Sequence, residues 1–164
     1  KTTMPTPARQ RIVEAIFAKL KTITKANQFR TNIGENVFRW KLTPWGEMDA
    51  QGRQYLDGCN LKDKSCSMVA AVSGSMNWVL EIEIEIYGDG EGSDTFLRSA
   101  EADLISLIGQ DPKWGVTDLN ARTWTKEFRT EMGLKQDERI VSGMLISFTV
   151  EFTTPYWSPY APTS

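Results

Sequence analysis

The sequence predicts an α+β fold, a mostly antiparallel sheet of four or five strands with two helices packed on one face. Three observations predict it. Residues 78–87 hold period 2, with Trp78, Leu80, Ile82, Ile84 and Ile86 on one side and Val79, Glu81, Glu83, Glu85 and Tyr87 on the other, the pattern of a strand with one buried and one wet face. Two other stretches repeat apolar residues at helical spacing. The elements follow the order helix, strand, strand, strand, helix, strand, strand without an internal repeat, so two helices can cover one side of one sheet. A length of 164 residues suits a single domain over 1–164 with its own core. Apolar residues at 40% and charged residues at 24% argue against wholesale disorder.

The first helix is expected over 7–21. Thr6 serves as its N-cap and Pro7 as its first residue. Ile12, Val13, Ile16, Phe17 and Leu20 form its apolar stripe, and Arg9, Arg11, Glu14 and Lys19 lie mostly on the solvated side. A strand follows at 36–42, with Phe38, Trp40 and Leu42 on one side. Residues 45–67 are polar and broken by Gly46, Gly52 and Gly58, and are expected to form a long loop or insertion. Such a length is usual only for functional or disordered loops. Its apolar residues Trp45, Met48, Tyr55 and Leu56 suggest a docking role.

Residues 68–72 predict a short strand, and Gly74-Ser75 a turn. In the strand 78–87, Trp78, Leu80, Ile82, Ile84 and Ile86 point one way. Glu81, Glu83 and Glu85 point the other, and a slip of one residue would bury all three. The glycine-rich 88–92 is a turn. Ser93 or Asp94 caps a second helix with the stripe Phe96, Leu97, Ala100, Leu104, Leu107 and Ile108, and Gly109 ends it. Strands are expected over 123–130, with Trp124 and Phe128 on one side, and over 140–153, with Met132-Gly133-Leu134-Lys135-Gln136-Asp137 as the hairpin connection between them. From about Pro155 the tail is irregular.

Function classes narrow by elimination. Histidine is absent, which removes the commonest general base at neutral pH and the commonest transition-metal ligand. Cys59 and Cys66 alone make a poor zinc site; their spacing allows a short disulfide loop, and free thiols are favoured because nothing marks the chain as secreted. The row Glu81, Glu83, Glu85 lacks the contrast of environments that paired catalytic carboxylates need. It is expected to be solvated or salt-bridged, with Lys126, Arg129 or Arg139 as partners across strands. The glycine-rich 88–92 lacks the Lys-Ser/Thr ending of a phosphate loop and does not match EF-hand spacing. No catalytic, cofactor or metal residues are assigned. A net charge of −2 gives no long-range attraction to nucleic acid or acidic membranes. No stretch approaches the ~20 apolar residues of a membrane span, and the N-terminus has no apolar signal-like segment. A soluble protein made in the cytoplasm is expected.

Six tryptophans are many for this length. Trp40, Trp78 and Trp124 sit on apolar strand faces and are expected in the core. Trp45, Trp114 and Trp157, with Tyr156 and Tyr160, lie in loops or the tail and are interface candidates.

Several segments together look familiar: Arg11-Ile12-Val13-Glu14-Ala15-Ile16 in the first helix, Glu85-Ile86-Tyr87-Gly88 at a strand end, Ala100-Glu101-Ala102-Asp103-Leu104-Ile105 in the second helix, and Ser147-Phe148-Thr149-Val150-Glu151-Phe152 followed by Thr154-Pro155. In this layout the chain resembles the tail terminator proteins of long-tailed bacteriophages, the lambda minor tail protein U-like family. The resemblance covers most of the chain and rests on the order of elements rather than on one motif. It implies a structural virion protein without enzymatic activity. Such a protein forms a ring, usually hexameric, that caps the head-proximal end of the tail tube, stops tube growth and offers a surface for head–tail joining. The implied partners are further copies of the chain, the tube protein and a connector or stopper protein. Genomic DNA passes through without specific binding, with Glu81, Glu83 and Glu85 facing the lumen. The implied location is the virion neck, after assembly in the host cytoplasm. Another neck or tail-completion protein fits the same layout. A small α+β enzyme or ligand-binding domain is the alternative from a different class.

Overall fold

The structure is a computed structural model that describes residues 3–41, 58–89, 92–119, 124–136 and 140–162. Helix α1 spans Ala8–Leu20, and strand β1 spans Val37–Arg39 after two short 3-10 turns. Strands β2 (Cys59–Val72) and β3 (Ser75–Asp89) form a long hairpin; helix α2 covers Ser93–Gln110, and β4 (Trp124–Gln136) and β5 (Ile140–Pro155) form a second hairpin. The sheet order is β1-β2-β3-β5-β4. Among the described residues only the β1–β2 pair is parallel. The α+β class and the element order are therefore as the sequence predicts.

β3 sits at the centre because its pattern leaves it no other place. Leu80, Ile82, Ile84 and Ile86 are fully buried. Each pairs with an inward residue of β5: Val150, Phe148, Ile146 and Met144. Both helices lie on this dry face. Ala8, Ile12, Val13, Ile16 and Leu20 of α1 join Leu97, Ala100, Leu104 and Leu107 of α2 in one buried cluster with the strands. The caps differ from expectation. Pro7 itself takes the cap position of α1, in extended backbone, so the helix starts one residue later than predicted. Gly92, at φ +80°, precedes α2, and Gly109 lies inside the helix, which runs one residue past it.

The two-turn link between α1 and β1 exposes residues 25–28 but is anchored in the core on either side of them. Ile23 and Ile33 are buried. Gly34 donates to the Ile23 carbonyl, and a Cβ at Gly34 would fall 2.6–2.8 Å from the carbonyl oxygens of Leu20, Ile23 and Lys21. Asp103 of α2 closes the same corner. Its buried carboxylate accepts from the Arg30 and Thr31 amides and from the Thr31 hydroxyl, at 2.7–2.8 Å.

The largest correction concerns residues 45–67. Residues 59–67 are not loop. They belong to β2, which pairs with β3 from Cys59–Ile86 to Val72–Ser75. The stretch carries Asn60, Lys62, Asp63, Lys64 and Ser65, whose polarity reflects one wet face and two bulges, at Asp63/Ser65 and Met68/Ala70. Trp45, Met48, Tyr55 and Leu56 lie outside the described residues. Similarly, 132–136 is not a connection but the continuation of β4, paired with β5 up to Gln136–Ile140.

Candidate functional site

The best-defined surface is the wet face of the sheet. Glu81, Glu83 and Glu85 all point there, as their parity requires, but the face is not an acidic wall. Glu85 is in contact with the Lys62 ammonium and accepts from the Asn60 side chain at 3.1 Å. Lys64 stands 3.8 Å from Glu83. Arg129 stands 3.8 Å from Glu81, which also accepts from the Ser65 hydroxyl at 3.1 Å. On the next strands Lys126 pairs with Glu151 at 3.0 Å. The carboxylates are therefore interleaved with cations, nearly balanced in charge. Arg129 was legible from sequence as a partner, and Arg139 lies outside the described residues. Lys62 and Lys64 were missed because their segment looked like a loop.

Tyr87 continues the row. Its ring lies over Gly143, where a Cβ would come within 3.3 Å. Burial, reinforced by the nearby Glu85 charge, pushes its phenol above the usual range. Among the described residues no group of three or more His, Cys, Asp or Glu side chains could hold a metal.

A second polar cluster ties α1 to the sheet at the Asp63 bulge. Arg9 Nε donates to Asp63 Oδ2 at 2.8 Å, and Trp40 Nε1 donates to Oδ1 at 2.9 Å. Partial burial alone would raise the Asp63 pKa, but these hydrogen bonds and the Arg9 charge outweigh it and hold the carboxyl below the usual range. Trp40 is thus not a core residue. At φ +51° it turns out of the strand and is 47% exposed, with the Lys64 ammonium over its ring. Trp124 is also outside the core, at 45% exposure. It pairs opposite Glu151 on the wet face. A bulge between Lys126 and Arg129, with Glu127 at φ +53°, resets the parity, so Phe128 packs against the core while Trp124 does not.

Trp114 is the converse case. Expected at an interface, it is 2% exposed and stacks on Phe148, with centroids 5.7 Å apart. Its indole N–H donates to the Thr125 hydroxyl at 2.8 Å. With Val116 and Leu119 it makes the segment after α2 part of the core. Trp78 packs at the core margin, stacked on Phe152 and bonded to the Thr154 hydroxyl.

Of the interface candidates within the described residues, Tyr156, Trp157 and Tyr160 do face solvent, at 56%, 72% and 36% exposure. The Tyr156 amide donates to the Gly74 carbonyl and the Trp157 amide to Met76 Sδ, so this turn is pinned to the tip of the β2–β3 hairpin. The hairpin adds Met68, Val69 and Val72 as exposed apolar side chains. The sequence, which predicts only a short strand at 68–72, did not single them out.

Cys59 and Cys66 are free thiols. Seven residues apart along one strand, their Cα atoms stand roughly 20 Å from each other at ~3.3 Å per residue, several times the disulfide span. Burial pushes the Cys59 thiol up to about 12.

No protein-family model matches the chain, and no curated protein is similar enough in sequence to mark a relative.

Proposed function

We propose that this chain is a structural virion protein, a ring-forming tail terminator that caps the head-proximal end of a phage tail tube. The observation that supports this reading is the arrangement of elements: an opening helix, a central strand ending at Tyr87-Gly88, a second helix on the same sheet face, and a closing strand ending at Thr154-Pro155. These are the segments on which the resemblance rests. The reading has no enzymatic component. Its partners are further copies in a hexamer, the tube protein and a head-side connector. Its place is the tail or neck of the virion.

The wet face refines the lumen idea. A passage for DNA must not retain phosphate, and retention comes from unneutralised Lys and Arg. Here Lys62, Lys64, Lys126 and Arg129 each stand against a carboxylate. A wall of this kind is non-adhesive through neutralisation rather than through net negative charge. The test is electron microscopy of the purified chain together with its location in tails that lack heads. A ring with a DNA-wide opening, and presence on headless tails at the joining end, support the reading. Presence only on tail-less heads assigns the chain to head completion instead, and a wet face turned away from the ring axis removes the lumen role.

A further inference from the structure

The two edges of the sheet differ in kind. β4 carries Lys126, Glu127, Arg129 and Glu131 along its length. Charges of this sort are how monomeric sheets deter an added strand. β2 is different. β1 pairs with it only across Cys59–Leu61, and the Trp40 amide extends the contact by one bond to the Leu61 carbonyl. Among the described residues no strand flanks the outer side of β2 between residues 65 and 72. Residues 65–80 contain no Asp, Glu, Lys, Arg or Pro. Met68, Val69 and Val72 are 46%, 60% and 60% exposed. The bulge at Met68/Ala70 leaves Val69 without a partner on β3 and bends the strand without placing a charge on it. The exposed rings of Tyr156 and Trp157 lie instead at the tip of the hairpin, beside Gly74.

An open edge presents backbone donors and acceptors, so its natural occupant is another strand. That strand must be uncharged, because a charge set against Met68, Val69 and Val72 would lose water without gaining a partner. Among the described residues, the surface that meets both conditions is β2 itself. We propose that a second copy of the chain docks here, the 65–72 edges meeting antiparallel about a two-fold axis to give an isologous dimer. Antiparallel self-pairing sets uncharged residues against uncharged residues throughout. Head-to-tail pairing with the β4 edge of a second copy would instead bring Lys126, Glu127, Arg129 and Glu131 against the apolar row. The proposal stands on the edge chemistry and not on the terminator reading, whose ring would close through other surfaces.

Sedimentation equilibrium of the full chain from about 1 to 200 μM tests it, with Val69→Lys and Val72→Glu as variants. Both positions are exposed, so circular dichroism should stay native. The expected result is a dimer that either variant weakens by about tenfold or more. In a Cys66→Ser background, Val69→Cys should oxidise to a covalent dimer, since the two-fold brings the bulges of the two copies close. A monomer across the whole range overturns the proposal, as does assembly indifferent to both variants. Cross-linking of Val69→Cys to Trp124→Cys in a mixture, in preference to self-linking, overturns it in favour of head-to-tail pairing. A dimer sensitive to Val69, in a protein absent from tails, would keep this inference and end the terminator reading.

Discussion

Replacing Trp114 by Ala tests the placement of an aromatic residue that the sequence put on the surface. Trp114 is 2% exposed, and its ring stacks on Phe148 at 5.7 Å with planes 17° apart. Truncation of a buried tryptophan costs about 3–5 kcal/mol, from lost burial and from the cavity left behind. The Thr125 hydroxyl also loses the indole donor, although it keeps its own bond to the Pro112 carbonyl at 3.0 Å. At about 2–4 °C per kcal/mol for a chain of this size, Tm should fall by roughly 6–20 °C. Trp114→Phe retains most of the apolar contact and should cost about 1–2 kcal/mol, the scale of one hydrogen bond and a modest volume loss. Trp157→Ala is the internal control. At 72% exposure it should change stability by no more than about 0.5 kcal/mol. Urea unfolding followed by circular dichroism, checked by thermal melts, measures all three. Equal, small effects at Trp114 and Trp157 would refute the reasoning, because they would place Trp114 outside the core.

Three further outcomes follow from named contacts. Gly34→Ala should destabilise by about 1–3 kcal/mol, measured by the same urea titration, because the new methyl meets three backbone carbonyl oxygens that cannot swing aside. Stability should fall in acid through Asp63. Its folded pKa lies below the unfolded value of about 3.9, so its contribution is complete above that value and is lost as pH drops through the folded pKa. Melts between pH 6 and 2 of the native chain and of Asp63→Asn measure it, the variant showing the shallower decline. Cys59, with its thiol pushed up to about 12 by burial, should resist an aromatic disulfide reagent at pH 8 until the chain unfolds, since burial both shields the sulfur and disfavours the reactive thiolate; reaction on the timescale of an exposed thiol would contradict its burial.

How much of this was legible in the sequence depends on how local the deciding interaction is. β3 was legible because ten alternating residues admit one register and one buried face. The stripes of α1 and α2 were legible for the same reason, apart from caps that shifted by a residue or two. β2 was not. Lys62, Lys64 and Ser65 have polarity that makes sense beside Glu81, Glu83 and Glu85 of the neighbouring strand, and the buried Asn60 is polar because it bonds Glu85 and the Lys41 backbone. Bulges then break the alternation that would have marked it. The tryptophans failed for a related reason. Trp124 and Phe128 share a side in a regular strand, but the bulge at Glu127 separates them. Trp114 follows a helix in a turn with positive φ at residues 114 and 115, where no periodicity exists to signal burial.

The same contrast bears on the candidate site. Read along β3 alone, three glutamates make an acidic stripe. Across the sheet, Lys62, Lys64 and Arg129 convert the stripe into ion pairs that range from largely shielded, with the Lys62 and Glu85 side chains 17% and 21% exposed, to open, with Arg129 at 68%. Open pairs such as Arg129–Glu81 add little to stability, about 0–1 kcal/mol each. Their main consequence is at the surface, where they cancel each other's long-range field. A face held so close to neutral neither attracts nor expels a polyanion. Added salt, which weakens interactions between net charges, should therefore change little in the native chain's retention on immobilised DNA. Reversing the balance with Glu83→Lys leaves Lys62, Lys64 and the new lysine with the single neighbouring carboxylate of Glu85. The variant should gain salt-sensitive retention on immobilised DNA that the native chain lacks, and equal retention of the two proteins would show that pairing is not what keeps this face non-adhesive.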